Sequence, residues 1–305
     1  MGNTFTQMKS LEVKSILVAT DLTESADKAL KHGIAIARHY RATLYIVYVV
    51  SSLAFTLAGP EAVEAAAEAS ERDINGLVHE LVESGRLSGV EVRPIVLKGN
   101  LDEEMDAFAR ARRVDLIIVG THGRCGMDKF IFGSVAQTIS KRCCCPVLTV
   151  GPHSPGPWLD NPADSGKPLL FATAFNNVSA KAVAYATSLA SDFERRLFVL
   201  HVIPPNRTHF LRKDNTVHGD QEASALAHLN ALMPSDADLK CPATFLVESC
   251  DPAEGILRVA KRVHAVTIIM GVDRELNSDL TTRLPGSITD QVHRDAMCPV
   301  FTISG

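Results

Sequence analysis

Gly120, Gly123, Gly133 and Ser134 are the residues whose types and spacing could do chemistry, within GTHGRCGMDKFIFGS at residues 120–134. An aliphatic run at 115–119 precedes them and reads as a buried strand. After them, Val135, Ile139 and Cys143 recur at helical spacing. Strand, glycine-spaced loop and helix N-terminus together suit a phosphate. Glycines let the backbone approach closely, successive N–H groups converge on an anion, and the helix dipole adds partial positive charge. The Ser134 hydroxyl can add a hydrogen bond, and Thr121, His122 and Arg124 stand in the loop beside the phosphates. The run matches neither the P-loop pattern nor the dinucleotide GxGxxG spacing.

The elements that must position this loop alternate between strand and helix. Residues 16–19 form a short strand that ends in Thr20 and Asp21, and a helix with apolar face Ala26, Leu30, Ile34 and Ala37 follows. Residues 44–50 are a second strand and 61–83 a helix. A third strand at 92–97 carries Pro94, which places it at an edge or distorts it. Asn100 with Glu103 predicts a capping box before the next helix, and 115–119 is the fourth strand. Such alternation implies a parallel sheet with helices on both faces and a ligand beyond the C-terminal strand ends.

The chain then repeats itself. PHSPGPWLDNPADSGK, residues 152–167, reads as a linker; beyond it, 169–172 lies 153 residues after 16–19, 197–203 lies 153 after 44–50, and Cys298-Pro299-Val300 lies 153 after Cys145-Pro146-Val147. Asp251, Pro252 and Glu254 repeat the cap expected at Asn100. The domains are therefore expected at 1–151 and 168–305.

The pattern G-x2-G-x9-G-S, with ILVATD at 16–21, LYIVYVV at 44–50 and CPVLTV at 145–150, resembles the ATP-binding branch of the universal stress protein family. The resemblance implies two tandem Rossmann-like α/β domains, each an open five-stranded parallel sheet with helices on both faces. It implies ATP, with or without Mg2+, held by Ala19, Thr20 and Asp21 near the nucleoside, by the backbone near Val49 at the adenine, and by Gly120, Thr121, His122, Gly123, Arg124, Gly133, Ser134 and Val135 around the phosphates. Asp21 also has a structural reading, as an acid at a helix N-terminus. Since the family forms dimers, the two copies are expected to pair within the chain through their last strands, with a homodimer left open.

The second copy departs from this pattern. Ala174 stands for Asp21 and Arg274 for Gly123, and 14 residues separate Gly271 from Gly286 where 12 separate Gly120 from Gly133. One ATP per chain is the expectation, with a different, smaller anion as an alternative in the second copy.

Composition bounds the rest. The chain has 305 residues, 46% of them hydrophobic and 22% charged, with a formal charge of −4. Neither half carries the basic excess of a nucleic-acid binder. No apolar run reaches membrane-spanning length and no signal-peptide core opens the chain, so a cytoplasmic protein without membrane attachment is expected; Gly2 and Thr6 fit only a loose myristoylation pattern. Seven cysteines, three of them contiguous at 143–145, read as reduced filler, and no paired metal ligands occur. No catalytic or metal-binding residue is assigned. The leading reading is a stress-response regulator whose nucleotide biases conformation or partner association. The alternatives are a slow ATPase or phosphoryl or nucleotidyl transferase, and a module that binds another ligand through the altered C-terminal domain.

Overall fold

The computed structural model describes residues 11–51, 59–121, 139, 143, 145–205, 215–233, 242–273 and 287–305. The chain divides into two compact units, one built from residues 12–165 and the other from 166–303.

The first unit runs β1 (Ser15–Ala19), α1 (Glu24–Tyr40), β2 (Thr43–Ser51), α2 (Pro60–Glu83), β3 (Val92–Gly99), α3 (Leu101–Ala111), β4 (Leu116–Gly120) and β5 (Val147–Val150). Its strands lie in the order β3-β2-β1-β4-β5, with parallel pairing throughout. The order reverses between β1 and β4, which is where such sheets open a crevice at their carboxyl ends. β3 is the edge strand of the unit, and this is why it tolerates Pro94, paired with Ile46.

Alternation along β1 splits the core. Leu17 packs on one face with Val47, Ile117, Met105 and Ala109, the last two from α3. On the opposite face α1 comes so close that a Cβ on Gly33 would lie 2.4 Å from Val18 Cγ2 and 3.4 Å from Leu44 Cδ1. The start of β1 is fixed by Asp115, whose Oδ2 accepts the backbone N–H groups of Lys14 at 2.8 Å and Ser15 at 2.9 Å.

Residues 152–165 lie against α1. Lys28 Nζ donates to the Pro152 carbonyl at 2.8 Å, His32 Nε2 meets the Pro155 carbonyl at 3.2 Å, and Arg38 reaches Asp160 at 3.4 Å. Trp158 is only 5% exposed. A stretch whose composition reads as linker thus has its own packing and hydrogen bonds.

The second unit repeats the plan with β6 (Leu169–Ala172), α4 (Ser179–Asp192), β7 (Leu197–Ile203), α5 (Asn215–Leu232), β8 (Ala243–Ser249), α6 (Pro252–Val263), β9 (Thr267–Val272), α7 (Ile288–Asp295) and β10 (Val300–Ser304). Its strand order is β10-β9-β6-β7-β8. Asp251 caps α6 as expected, with Oδ1 accepting from the Glu254 N–H at 3.1 Å and Pro252 in the first turn. Asn100 does not act in the same way: it occupies the N-cap of α3 but its side chain makes no capping bond, so the predicted box with Glu103 is not formed. Glu104 instead leans back over Gly99, whose φ is +149°, with Oε1 2.6 Å from the place a Cβ would take.

Candidate functional site

Strand register brings the first-unit candidates to one edge. Val18 pairs with Ile118, so Asp21 and Thr121, each three residues further on, leave adjacent strands at the same level. Ala19 pairs with Val47, and β2 continues to Ser51. Val49 therefore stands on an overhang beyond the end of β1, packed against the Leu17 side of the core. Thr20 N–H still reaches Val47 O at 2.9 Å, and Thr121 N–H reaches Val150 O at 3.1 Å, which extends the sheet by one residue at each exit.

The turn from β1 into α1 is locked by side chains. Thr20 Oγ1 accepts from Leu22 N–H at 3.1 Å, with Leu22 in the left-handed region at φ 63°. Asp21 Oδ1 accepts from Thr23 N–H at 3.1 Å and from the Thr23 hydroxyl at 2.5 Å. Thr23 is the N-cap of α1, its Oγ1 accepting from Ala26 N–H at 3.4 Å. The carboxylate of Asp21 thus holds the cap residue and keeps its place at the crevice edge, half-buried. Both sequence readings of Asp21 describe the same position.

Ala19, Val49 and Gly120 are also half-buried, whereas Thr20 and Thr121 are buried, Thr121 to 1% exposure. His122, Gly123, Arg124, Gly133, Ser134 and Val135 lie outside the described residues, as do Arg274 and Gly286 of the second copy.

The corresponding turn of the second unit keeps the shape and changes the chemistry. Thr173 Oγ1 accepts from Phe175 N–H at 3.2 Å, and Phe175 has φ 55°, as at Thr20 and Leu22. Ala174 offers no carboxylate. Asn176 takes over, its Oδ1 accepting from Val178 N–H at 3.2 Å and from the Ser179 hydroxyl at 3.1 Å. Helix α4 begins at Ser179, two residues later than the position matching Glu24 of α1 at the 153-residue repeat. Ser287 caps α7, accepting from Asp290 N–H at 3.1 Å.

His32, which the sequence reading left aside, and the cysteines it took as filler are placed by the fold. His32 is 1% exposed and burial pushes its pKa down to about 4, so a neutral ring faces the Pro155 carbonyl at pH 7. Because a carbonyl only accepts, Nε2 carries the proton. Cys143 and Cys145 sit in the core of the first unit, and Cys298 in that of the second has its thiol pushed up to about 12 by burial. A thiol so protonated is a poor nucleophile. Among the described residues no cluster of His, Cys, Asp and Glu is placed to hold a metal ion.

The universal stress protein family matches residues 12–151 and 166–304, nearly the whole chain in two copies. The chain belongs to the universal stress protein family. Among curated relatives, the universal stress protein MJ0531 of Methanocaldococcus jannaschii is 31% identical over 138 residues, 45% of this chain and 81% of its own. The universal stress protein YxiE of Bacillus subtilis is 28% identical over 143 residues, 44% of this chain and 97% of its own. Each is therefore about the size of one copy. A solved universal stress protein from Archaeoglobus fulgidus shares the fold along the full tandem length, with a TM-score of 0.67 at 17% identity, covering 96% of this chain and 99% of that one. A second, from Pseudomonas aeruginosa, gives 0.63 at 19% identity, covering 97% and 94%. Tandem universal stress protein domains are thus the architecture of this chain. No helix among the described residues is long and apolar enough to cross a membrane.

Proposed function

We propose that this universal stress protein binds ATP in its first unit and uses occupancy to bias its conformation or its association with a partner. The observation that carries the reading is the placing of Asp21 and Gly120-Thr121 at the ends of β1 and β4, on the two sides of the strand-order reversal, where Gly120 opens the G-x2-G-x9-G-S run. In such sheets a ligand lies across that reversal, and the glycine run leading to a helix N-terminus suits a phosphate chain.

The residues present fit a nucleotide. Asp21 supplies a carboxylate oriented by Thr23, suited to accepting from a ribose hydroxyl. The overhang of β2 at Val49 presents backbone groups to a base, and Gly120 leaves the exit of β4 without a side chain. The phosphates would lie against Gly123, Gly133 and Ser134, with His122 and Arg124 near them. Ala174 in the second unit removes the counterpart carboxylate, which favours one nucleotide per chain. Domains are proposed at 1–151 and 168–305, and partners at the protein level are left to experiment.

Mass spectrometry of small molecules released by denaturing freshly purified protein tests the ligand class. ATP recovered at close to one equivalent per chain is expected; freshly purified protein that releases no nucleotide and binds none when ATP is added would overturn the proposal.

A further inference from the structure

The second unit has a groove of about 420 Å³ at the carboxyl end of β7, lined by Phe175, His201, Ile203, Asp220, Ser224 and His228 among others. Its walls combine a π surface with hydrogen-bond acceptors. Phe175 lies on His201 with ring centroids 4.3 Å apart and planes 31° apart, and 5.6 Å from the His228 ring. His201 Nδ1 is 2.9 Å from the Thr173 carbonyl, and His228 Nδ1 is 2.8 Å from the Ser224 carbonyl. Carbonyls only accept, so in both rings Nδ1 holds the proton, and in the neutral ring Nε2 is left as an acceptor. Asp220 adds a carboxylate that makes no ion pair among the described residues. Among the described residues that line the groove there is no lysine or arginine. Beside the Gln221 amide and the Ser224 hydroxyl, which can also donate, the described lining offers the Asp220 carboxylate and two imidazole nitrogens as acceptors, which complement a cation that carries its own N–H groups.

We propose that this groove binds a small arylalkyl ammonium. Asp220, Ser224 and His228 recur every four residues on one face of α5, so the carboxylate lies about 12 Å along the helix from the aromatic end. A ring stacks at the Phe175–His228 end, and the ammonium on a flexible chain reaches Asp220, with Ile203 against the chain. In the first unit Tyr48 stands 153 residues before His201 in place of the imidazole, and Leu22 stands 153 before Phe175. Aromatic faces and a carboxylate both favour an organic cation over a neutral molecule of the same shape.

Calorimetric titration of the full chain with phenylbutylamine, and with phenylbutanol as a neutral match, tests this. Saturable one-to-one binding of the amine is expected, with the alcohol roughly tenfold or more weaker, as loss of a charge-assisted contact implies. Asp220→Asn, at an exposed helix position, should weaken the amine by a similar factor and leave the alcohol unchanged, while Phe175→Leu should weaken both. Equal affinity for amine and alcohol, an Asp220→Asn protein that keeps its amine affinity, or no saturation below about 10 mM amine would each overturn the proposal.

Discussion

The Asp21 carboxylate accepts the Thr23 hydroxyl at 2.5 Å and the Thr23 backbone N–H at 3.1 Å, so the residue at the crevice edge and the residue that caps α1 form one hydrogen-bonded unit. A single substitution there acts on ligand and helix together. Asp21→Ala should lower ATP affinity by roughly ten to a hundredfold and also destabilise the turn by about 1 kcal/mol. Thr23→Val, which loses the cap, should lower affinity less, and Thr23→Ser should restore it. Calorimetry alongside denaturant unfolding separates the two effects; unchanged affinity in Asp21→Ala would leave Asp21 as a turn residue only.

Gly33 marks the closest approach of α1 to the sheet. Alanine is the better helix former, worth up to about 1 kcal/mol, but its Cβ would lie 2.4 Å from Val18 Cγ2, on a stiff β-branched side chain in a central strand. Overpacking costs about 1–3 kcal/mol and is expected to win. Gly33→Ala should therefore lower the urea midpoint of the first unit; a raised midpoint would show that α1 can move away from the sheet without loss.

Acid should loosen the first unit through His32. Its folded pKa, pushed to about 4, lies below the ordinary 6.5, so the unfolded chain takes up a proton first as pH falls. The contribution is fully present above pH 6.5 and is lost progressively as pH falls toward 4, up to about 3 kcal/mol. Urea unfolding at pH 7 and pH 4.5 should show this loss, and His32→Gln, which keeps a donor for Pro155 but does not titrate, should show less of it. An identical pH dependence in the two proteins would contradict the assignment.

Cys298 should resist alkylation in the native protein. With its thiol at about 12 and its side chain 6% exposed, iodoacetamide at pH 8 should leave it unmodified until denaturant is added. Rapid native labelling of Cys298, read by peptide mass spectrometry, would show that the core of the second unit opens.

Much of the fold is legible in the sequence because its strands are short aliphatic runs buried on both faces, such as 16–19 and 116–119, and the 153-residue repeat makes each copy a check on the other. Caps are less legible. Asp251 and Asn100 each stand three residues before a glutamate, yet of the two only Asp251 bonds its helix through its side chain, a difference that the local pattern does not carry. Thr23 had a readable signal, a hydroxyl residue directly before an acidic first turn, but Asp21 at the strand end drew the assignment. His32 lies off the apolar stripe of Leu30, Ile34 and Ala37 and is buried by residues 123 positions away, a contact that no local periodicity carries. His201 and His228 come from different elements and each has its ring against Phe175, a grouping that no local periodicity carries either.

The central claim is that the first unit holds one ATP on the Gly123 loop. Titrating ATP into nucleotide-free wild-type protein and into Gly123→Val, with circular dichroism to confirm folding, tests it most directly. Saturation near one ATP per chain in the wild type and none in folded Gly123→Val is the predicted result. A stoichiometry near two, or unchanged affinity in Gly123→Val, would contradict it.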